Sequence, residues 1–280
     1  MRCVTFVTPG APARPASLEG EFLRVIDAPT LRDFIALHPS EREAVLTNER
    51  VALTGAQLVA PVVPARNVFC VGRNYAEHAK EGARALGREL TLPEVPTFFT
   101  KAPTAIVGPD ATLELEARVS GEYDYEAELA VVIGARCKDV PQERWRDVVF
   151  GYTCLNDVTA RDLQRAHGQW FKGKSLDDAC PIGPWIVAGE SLDPQRLDIS
   201  LRLSGVEKQH SNTSQMIFPI PRLIAELSRG MTLLPGDVIA TGTPQGVGFA
   251  RTPPEFLRDG DEMLVEIEGI GSLRNHIHIS

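Results

Sequence analysis

From Val68 onward the chain is a succession of short strand-like runs cut by Gly and Pro turns, and this punctuation limits the possible folds more than any other feature. The runs are "VFCVG", "PTFFTK", "DATLELE", "DYEAELAVVIG", "VFGYTCLND", "GPWIVAG", "LDISLRLSG", "GDVIATG" and "EMLVEIEGIG". Short apolar runs bounded by turn formers predict a mostly-β body of the α+β class. Helical spacing interrupts it at "YAEHAKEGARALG", "TARDLQRAH" and "IPRLIAELSRG". In the second, Thr159 is expected as the N-cap, with Asp162 three residues on. In the third, Ile220, Leu223, Ile224 and Leu227 form an apolar stripe that reads as core, and Gly230 can end the helix.

The first part of the chain reads differently. Residues 1–60 hold a strand-like "FLRVIDA" and a broadly helical "LRDFIALHPSEREAVL" interrupted by Pro. They are expected to form a small N-terminal module, joined through the Pro-rich "VAPVVPARN" to a body spanning 61–280. A length of 280 residues suits one large domain, or a large one with a small one.

Composition removes several function classes. A net charge of -8, with no basic run interleaved with aromatics, argues against nucleic acid as a partner. No apolar run approaches the ~18 residues of a membrane span, and the N-terminus lacks a secretory pattern, so a cytoplasmic setting is expected. Cys3, Cys70, Cys137, Cys154 and Cys180 are scattered, with no C-x-x-C, and read as buried thiols.

The run "DYEAELAVVIG" carries an anomaly. Glu126 and Glu128 lie two apart in a core-like strand, so both point to one face while Tyr125, Ala127 and Leu129 point to the other. Two bare carboxylates roughly 7 Å apart are costly to bury, and a hard divalent cation relieves that cost. The pattern alone fits a solvated face better. Asp157 closes the strand-like "VFGYTCLND"; it can be a turn former or a third oxygen ligand. Three carboxylates would leave about three octahedral positions for water or substrate.

Further candidates are weaker singly. His78 and Glu81, three apart on a predicted helix, can touch, and a carboxylate beside an imidazole makes a general base. Lys172 and Lys174 lie in "FKGKS", where a lysine can stabilise developing negative charge. "GDVIATGTPQGVG" is a strand entering a Gly-rich loop with Thr241 and Thr243, able to offer N–H and hydroxyl groups to a carboxylate. His276 and His278 read as a strand end or tail.

In series, "VGRNYAEHAKE", "FFTKAPTAIVGP", "DYEAELAVVIG", "LNDVTARDLQ", "GKSLDDACPIGPW", "SNTSQMIF" and "GDVIATGTPQGVG" resemble the fumarylacetoacetate hydrolase family, in particular its acylpyruvase-like and 2-hydroxyhepta-2,4-diene-1,7-dioate isomerase-like members. The resemblance implies a mixed β-roll catalytic domain, a homodimer, and a small variable N-terminal module. It implies Mg²⁺ or Mn²⁺, with Ca²⁺ able to take its place in crystals, held by Glu126, Glu128 and Asp157. It implies a water-activating dyad of His78 and Glu81 on a lid helix, with Lys174 stabilising the enolate. Substrate-binding positions fall on Arg73, Arg161, Gln164, Thr241, Gly242 and Thr243. The implied activity is hydrolysis of a C–C bond in a 2,4-dioxo acid through a pyruvate-type enolate. Isomerisation of a 2-hydroxymuconate or 2-oxo-heptenedioate type acid from aromatic catabolism, and decarboxylation of oxaloacetate, are the alternatives. A non-catalytic binding protein is disfavoured by the intact ligand set.

Overall fold

The computed structural model describes residues 1–189 and 192–280. A 12-stranded mixed sheet packs against a 5-stranded one. Across the large sheet the order is Leu46–Ala52, Phe22–Ile26, Arg14–Glu19, Arg2–Val7, Cys180–Ala188, Val149–Asn156, Ala127–Ile133, Val238–Ala240, Val68–Gly72 and Thr97–Lys101. Gln57–Val59 adds to Arg2–Val7, and Ile106–Val107 to Cys180–Ala188. Neighbours are antiparallel except Val238–Ala240 with Val68–Gly72 and Ile106–Val107 with Cys180–Ala188. The small sheet runs Val206–Asn212, Asp198–Leu203, Glu262–Ile267, Gly271–Ile279 and Thr112–Leu115. The mostly-β body expected from the turn punctuation is therefore present.

The strand Ala127–Ile133 is buried on both faces. Leu129, Val131 and Ile133 enter a core shared with Ile199, Leu201 and Val265 of the small sheet. Ala130 and Val132 enter a second core, with Val68, Cys70, Cys180 and Ile182. The helix Ile220–Ser228 lays Ile220, Leu223, Ile224 and Leu227 on the first core, as its stripe predicts, and Gly230 follows with φ +75°. Residues 2–59 extend one end of the large sheet, and Cys3, Leu31, Phe34 and Ile35 share the second core with the rest of the chain. No helix among the described residues is long and apolar enough to cross a membrane.

One local expectation needs correction. Thr159 is not a helix cap: it pairs with Asp124 in a short two-stranded ladder, and its hydroxyl donates to Asp157 O at 2.8 Å. The helix Arg161–Ala166 begins after it, with Ala160 at the cap position. His276 and His278, expected at a strand end or tail, lie in the last part of the strand Gly271–Ile279, on its solvent side, where His278 meets Asp259 at 2.9 Å.

Candidate active site

Strand register assembles the acidic cluster. Ala127–Ile133 pairs antiparallel with Val149–Asn156, setting Ala127 opposite Asn156 and Glu128 opposite Leu155. Asp157 therefore leaves its strand where Glu126 enters the next, and its N–H donates to Glu126 O at 2.9 Å. Glu126 itself lies just outside the ladder, its N–H bonded to Asn156 Oδ1 at 2.9 Å. The result is that Glu126, Glu128 and Asp157 each offer an oxygen within 4.8 Å of the others. Their exposures are 4%, 1% and 0%, so the solvated-face alternative does not hold.

Cations brace the cluster. Lys174 Nζ lies 2.6 Å from both Glu126 Oε2 and Asp157 Oδ2. Arg161 donates to Glu126 Oε1 at 2.5 Å and to Asp124 Oδ2 at 2.8 Å, with its face on the Phe249 ring. Lys101, fully buried, donates to Asp157 Oδ1 at 2.7 Å. Burial works against the charged form of Glu126, but Arg161, then Lys174 and His78, hold its carboxyl well below the usual range. For Lys174, burial is outweighed by Asp157 and Glu126, which raise its pKa.

Formal charge tests whether a metal ion fits. Asp124, Glu126, Glu128 and Asp157 face Lys101, Arg161 and Lys174, which leaves one negative charge in a nearly sealed space. That charge belongs to Glu128, which no cation pairs with among the described residues; Gly242 N–H donates to its Oε2 at 2.7 Å. Burial, then Asp157 and Glu126, push its carboxyl well above the ordinary value. A divalent cation removes this penalty, and an all-carboxylate set favours a hard one such as Mg²⁺ or Mn²⁺. The residues present therefore fit the ion.

Glu126, Glu128 and Lys174 wall a cavity of about 580 Å³ together with His78, Arg73, Arg161, Gln164 and Thr243. His78 Nδ1 lies 3.0 Å from Glu81 Oε1, and both Glu81 oxygens accept from Gly246 N–H, at 3.0 and 2.9 Å. A neutral imidazole then carries its proton on Nδ1, toward Glu81, and keeps a basic Nε2. Trp170 forms another wall, edge-on to Phe99 with ring centroids 5.3 Å apart and with the Arg73 guanidinium 5.9 Å from its own.

Other expected residues are placed otherwise. The Thr241 hydroxyl is turned into the sheet, donating to Leu129 O at 2.7 Å, and the Gly242 amide serves Glu128. Of that loop's three expected residues, Thr243 reaches the cavity, its Oγ1 accepting from Gln209 Nε2 at 2.9 Å. Arg161 and Gln164 touch each other at 3.1 Å, but most of the Arg161 guanidinium is engaged by Asp124 and Glu126. Lys172 is exposed. Lys101 and Asp124 were not anticipated. Asp124 has a signal in the sequence, since the alternation that picks out Glu126 and Glu128 reaches back to it; Lys101 has none nearby.

Residues 67–278 match the family described as Fumarylacetoacetate (FAA) hydrolase C-terminal. The oxaloacetate tautomerase YisK of Bacillus subtilis (strain 168) is 47% identical over 228 residues, covering 81% of this chain and 74% of that protein. Among solved structures, the 5-carboxymethyl-2-hydroxymuconate delta-isomerase from Mycobacterium smegmatis is 37% identical with a TM-score of 0.84, over 100% of both chains. The fumarylacetoacetate hydrolase from psychrophilic Exiguobacterium antarcticum is 40% identical with a TM-score of 0.86, again over 100% of both.

Proposed function

The chain belongs to the fumarylacetoacetate hydrolase family, and from that premise we propose that it is a divalent-metal-dependent enzyme that moves a proton on an enolisable 2-oxo acid, as a keto–enol tautomerase or double-bond isomerase. The observation that carries this reading is His78, oriented by the Glu81 carboxylate, on the same cavity as Glu126, Glu128 and Lys174. The relatives named a tautomerase and an isomerase support it.

When bound, the ion supplies Lewis acidity for the carboxylate and 2-oxo oxygen of the substrate and lowers the cost of enolate charge. His78 Nε2 takes the proton from the carbon next to the carbonyl and returns it elsewhere on the conjugated system. Glu81 keeps the imidazole in the tautomer that can do so and favours the imidazolium once formed. Lys174 provides an ammonium for the oxygen on which negative charge develops. Thr243 and Gln164 offer polar atoms to hold the acid in place.

A second reading, hydrolysis of a C–C bond in a 2,4-dioxo acid, uses the same dyad on a water and is favoured by the whole-chain likeness to a fumarylacetoacetate hydrolase. Homodimeric assembly belongs to the same proposal, and light scattering of the purified chain tests it. The activity test is an assay with Mg²⁺ on enol-oxaloacetate, a 2-hydroxymuconate-type dienoate and an acylpyruvate, following ketonisation, isomerisation, C–C cleavage and loss of CO₂ separately. Tautomerisation or isomerisation should dominate and should fall ~10²–10⁴-fold in His78→Ala, with Mg²⁺ affinity retained. Cleavage of the acylpyruvate without proton transfer on the other acids replaces the first reading by the second.

A further inference from the structure

Lys174 sits where a metal ligand's neighbour is not expected to sit. Its Nζ is 2.6 Å from Glu126 Oε2 and 2.6 Å from Asp157 Oδ2, bridging two of the three carboxylates. The other oxygens of those two residues also face cations, Glu126 Oε1 meeting Arg161 and Asp157 Oδ1 meeting Lys101. A hard dication bonds carboxylate oxygens at about 2.0–2.1 Å for Mg²⁺, so an ion using Glu126 and Asp157 meets the ammonium at the same oxygens. Two cations at the same oxygens repel each other strongly where little water screens them.

Lys174 differs from the other two cations in having somewhere to go. Lys101 is enclosed, bonded to Asp157 and to Val158 O at 3.0 Å, and Arg161 is pinned through Asp124 and Glu126. Lys174 belongs to the short helix Phe171–Lys174 and also walls the open cavity, with Nζ 5.1 Å from the centroid of the Phe99 ring.

The geometry points to an exchange: the Lys174 ammonium is a built-in counter-ion for Glu126 and Asp157, and a divalent cation entering the cluster drives it off those oxygens into the cavity, where it faces the substrate. This rests on the reading under Proposed function and adds to it an order of events, in which metal binding presents Lys174. With Lys174 in place the acidic cluster keeps one negative charge, and with a dication in its stead it keeps none; the ammonium stands beside the anionic acid only when the ion that also binds that acid is present.

The consequence is an unusual sign. A residue of the site whose removal should strengthen metal binding is a competitor, not a support. In calorimetric titration of the full chain with MgCl₂, Lys174→Met, which keeps the length and packing of the side chain, should bind Mg²⁺ about tenfold more tightly than wild type or better. Lys174→Arg, which keeps the charge, should stay within about threefold of wild type. A Lys174→Met affinity equal to or weaker than wild type overturns the exchange. A second measurement needs no variant: acetylation of Lys174 in the wild-type chain, read by peptide mass, should rise several-fold when Mg²⁺ is added. Labelling unchanged or reduced by Mg²⁺ also overturns it. A wild-type chain that takes up no Mg²⁺ in the calorimeter removes the functional reading and this inference together, whereas the preceding outcomes remove the inference alone.

Discussion

Lys101 Nζ lies 2.7 Å from Asp157 Oδ1, and neither side chain reaches solvent. The pair ties the end of the edge strand Thr97–Lys101 to the loop that follows Val149–Asn156, and so fixes the direction in which Asp157 points. Removing one partner of such a buried pair strands the other charge. Lys101→Met should therefore lower unfolding stability by about 3–5 kcal/mol in urea titration. A loss below about 1 kcal/mol would show that Lys174 alone satisfies Asp157.

Glu81 has two tasks, and substitution can separate them. It receives His78 Nδ1 at 3.0 Å and clamps Gly246 N–H with both oxygens. Glu81→Gln keeps an acceptor for the amide and gives up the negative charge beside the imidazole. Turnover should fall ~10²-fold or more, while hydrogen exchange in the helix Ala76–Ala85 stays as in wild type. Glu81→Ala should match that loss of turnover and also speed exchange across the helix. Equal exchange in the two variants would mean that the Gly246 contact does not hold the helix down.

Gly72 makes room for a cavity wall. A Cβ built on it would lie 2.4 Å from the Trp170 ring, and the atom it meets is the far edge of a side chain, not backbone. Gly72→Ala should therefore turn the indole away from Phe99 and Arg73 at a modest cost, about 1–3 kcal/mol. The expected outcome is a changed tryptophan emission and a raised KM in a protein that still unfolds cooperatively. Unchanged emission and KM would show that the wall yields elsewhere.

How much of this the sequence discloses follows from the range of each interaction. Glu126 with Glu128, and His78 with Glu81, are legible because strand and helix periodicity put them on common faces. Asp124 obeys the same alternation, one step earlier, and could have been read with them. Alternation cannot say whether a face is covered. The glutamate face is covered because Val68, Cys70, Cys180 and Ile182 arrive from other strands to form the core behind it. Lys101 stands 56 residues before Asp157, and their meeting is a product of strand order alone.

The same limit applies at the N-terminus, where local pattern suggests a module. The hydrogen bonds joining Arg2–Val7 to Cys180–Ala188 connect segments whose separation no local signal spans. Thr159 shows the opposite failure. Its hydroxyl could cap a helix, but pairing with Asp124 draws it to the Asp157 carbonyl first. Local preference yields there to the ladder that aligns the acidic cluster.

Buried thiols outside that cluster give a pH prediction. Burial raises Cys3 to about 12, with the N-terminal amine and Arg42 opposing it, and burial likewise pushes Cys154 far above its usual value. Both are fully enclosed, whereas an unfolded-chain thiol ionises near about 8.5. Above that pH the unfolded state sheds protons that the folded state keeps. Stability contributed by these thiols is thus full below about pH 8.5 and is lost as pH rises toward their folded-state values, by up to about 1.4 kcal/mol per pH unit for each. Urea titrations at pH 8 and pH 10 should show a smaller drop for Cys3→Ala/Cys154→Ala than for wild type. The packing loss from the smaller side chains enters at both pH values and cancels in that comparison. Parallel drops in the two proteins would mean that the thiols ionise as readily inside the fold as outside it.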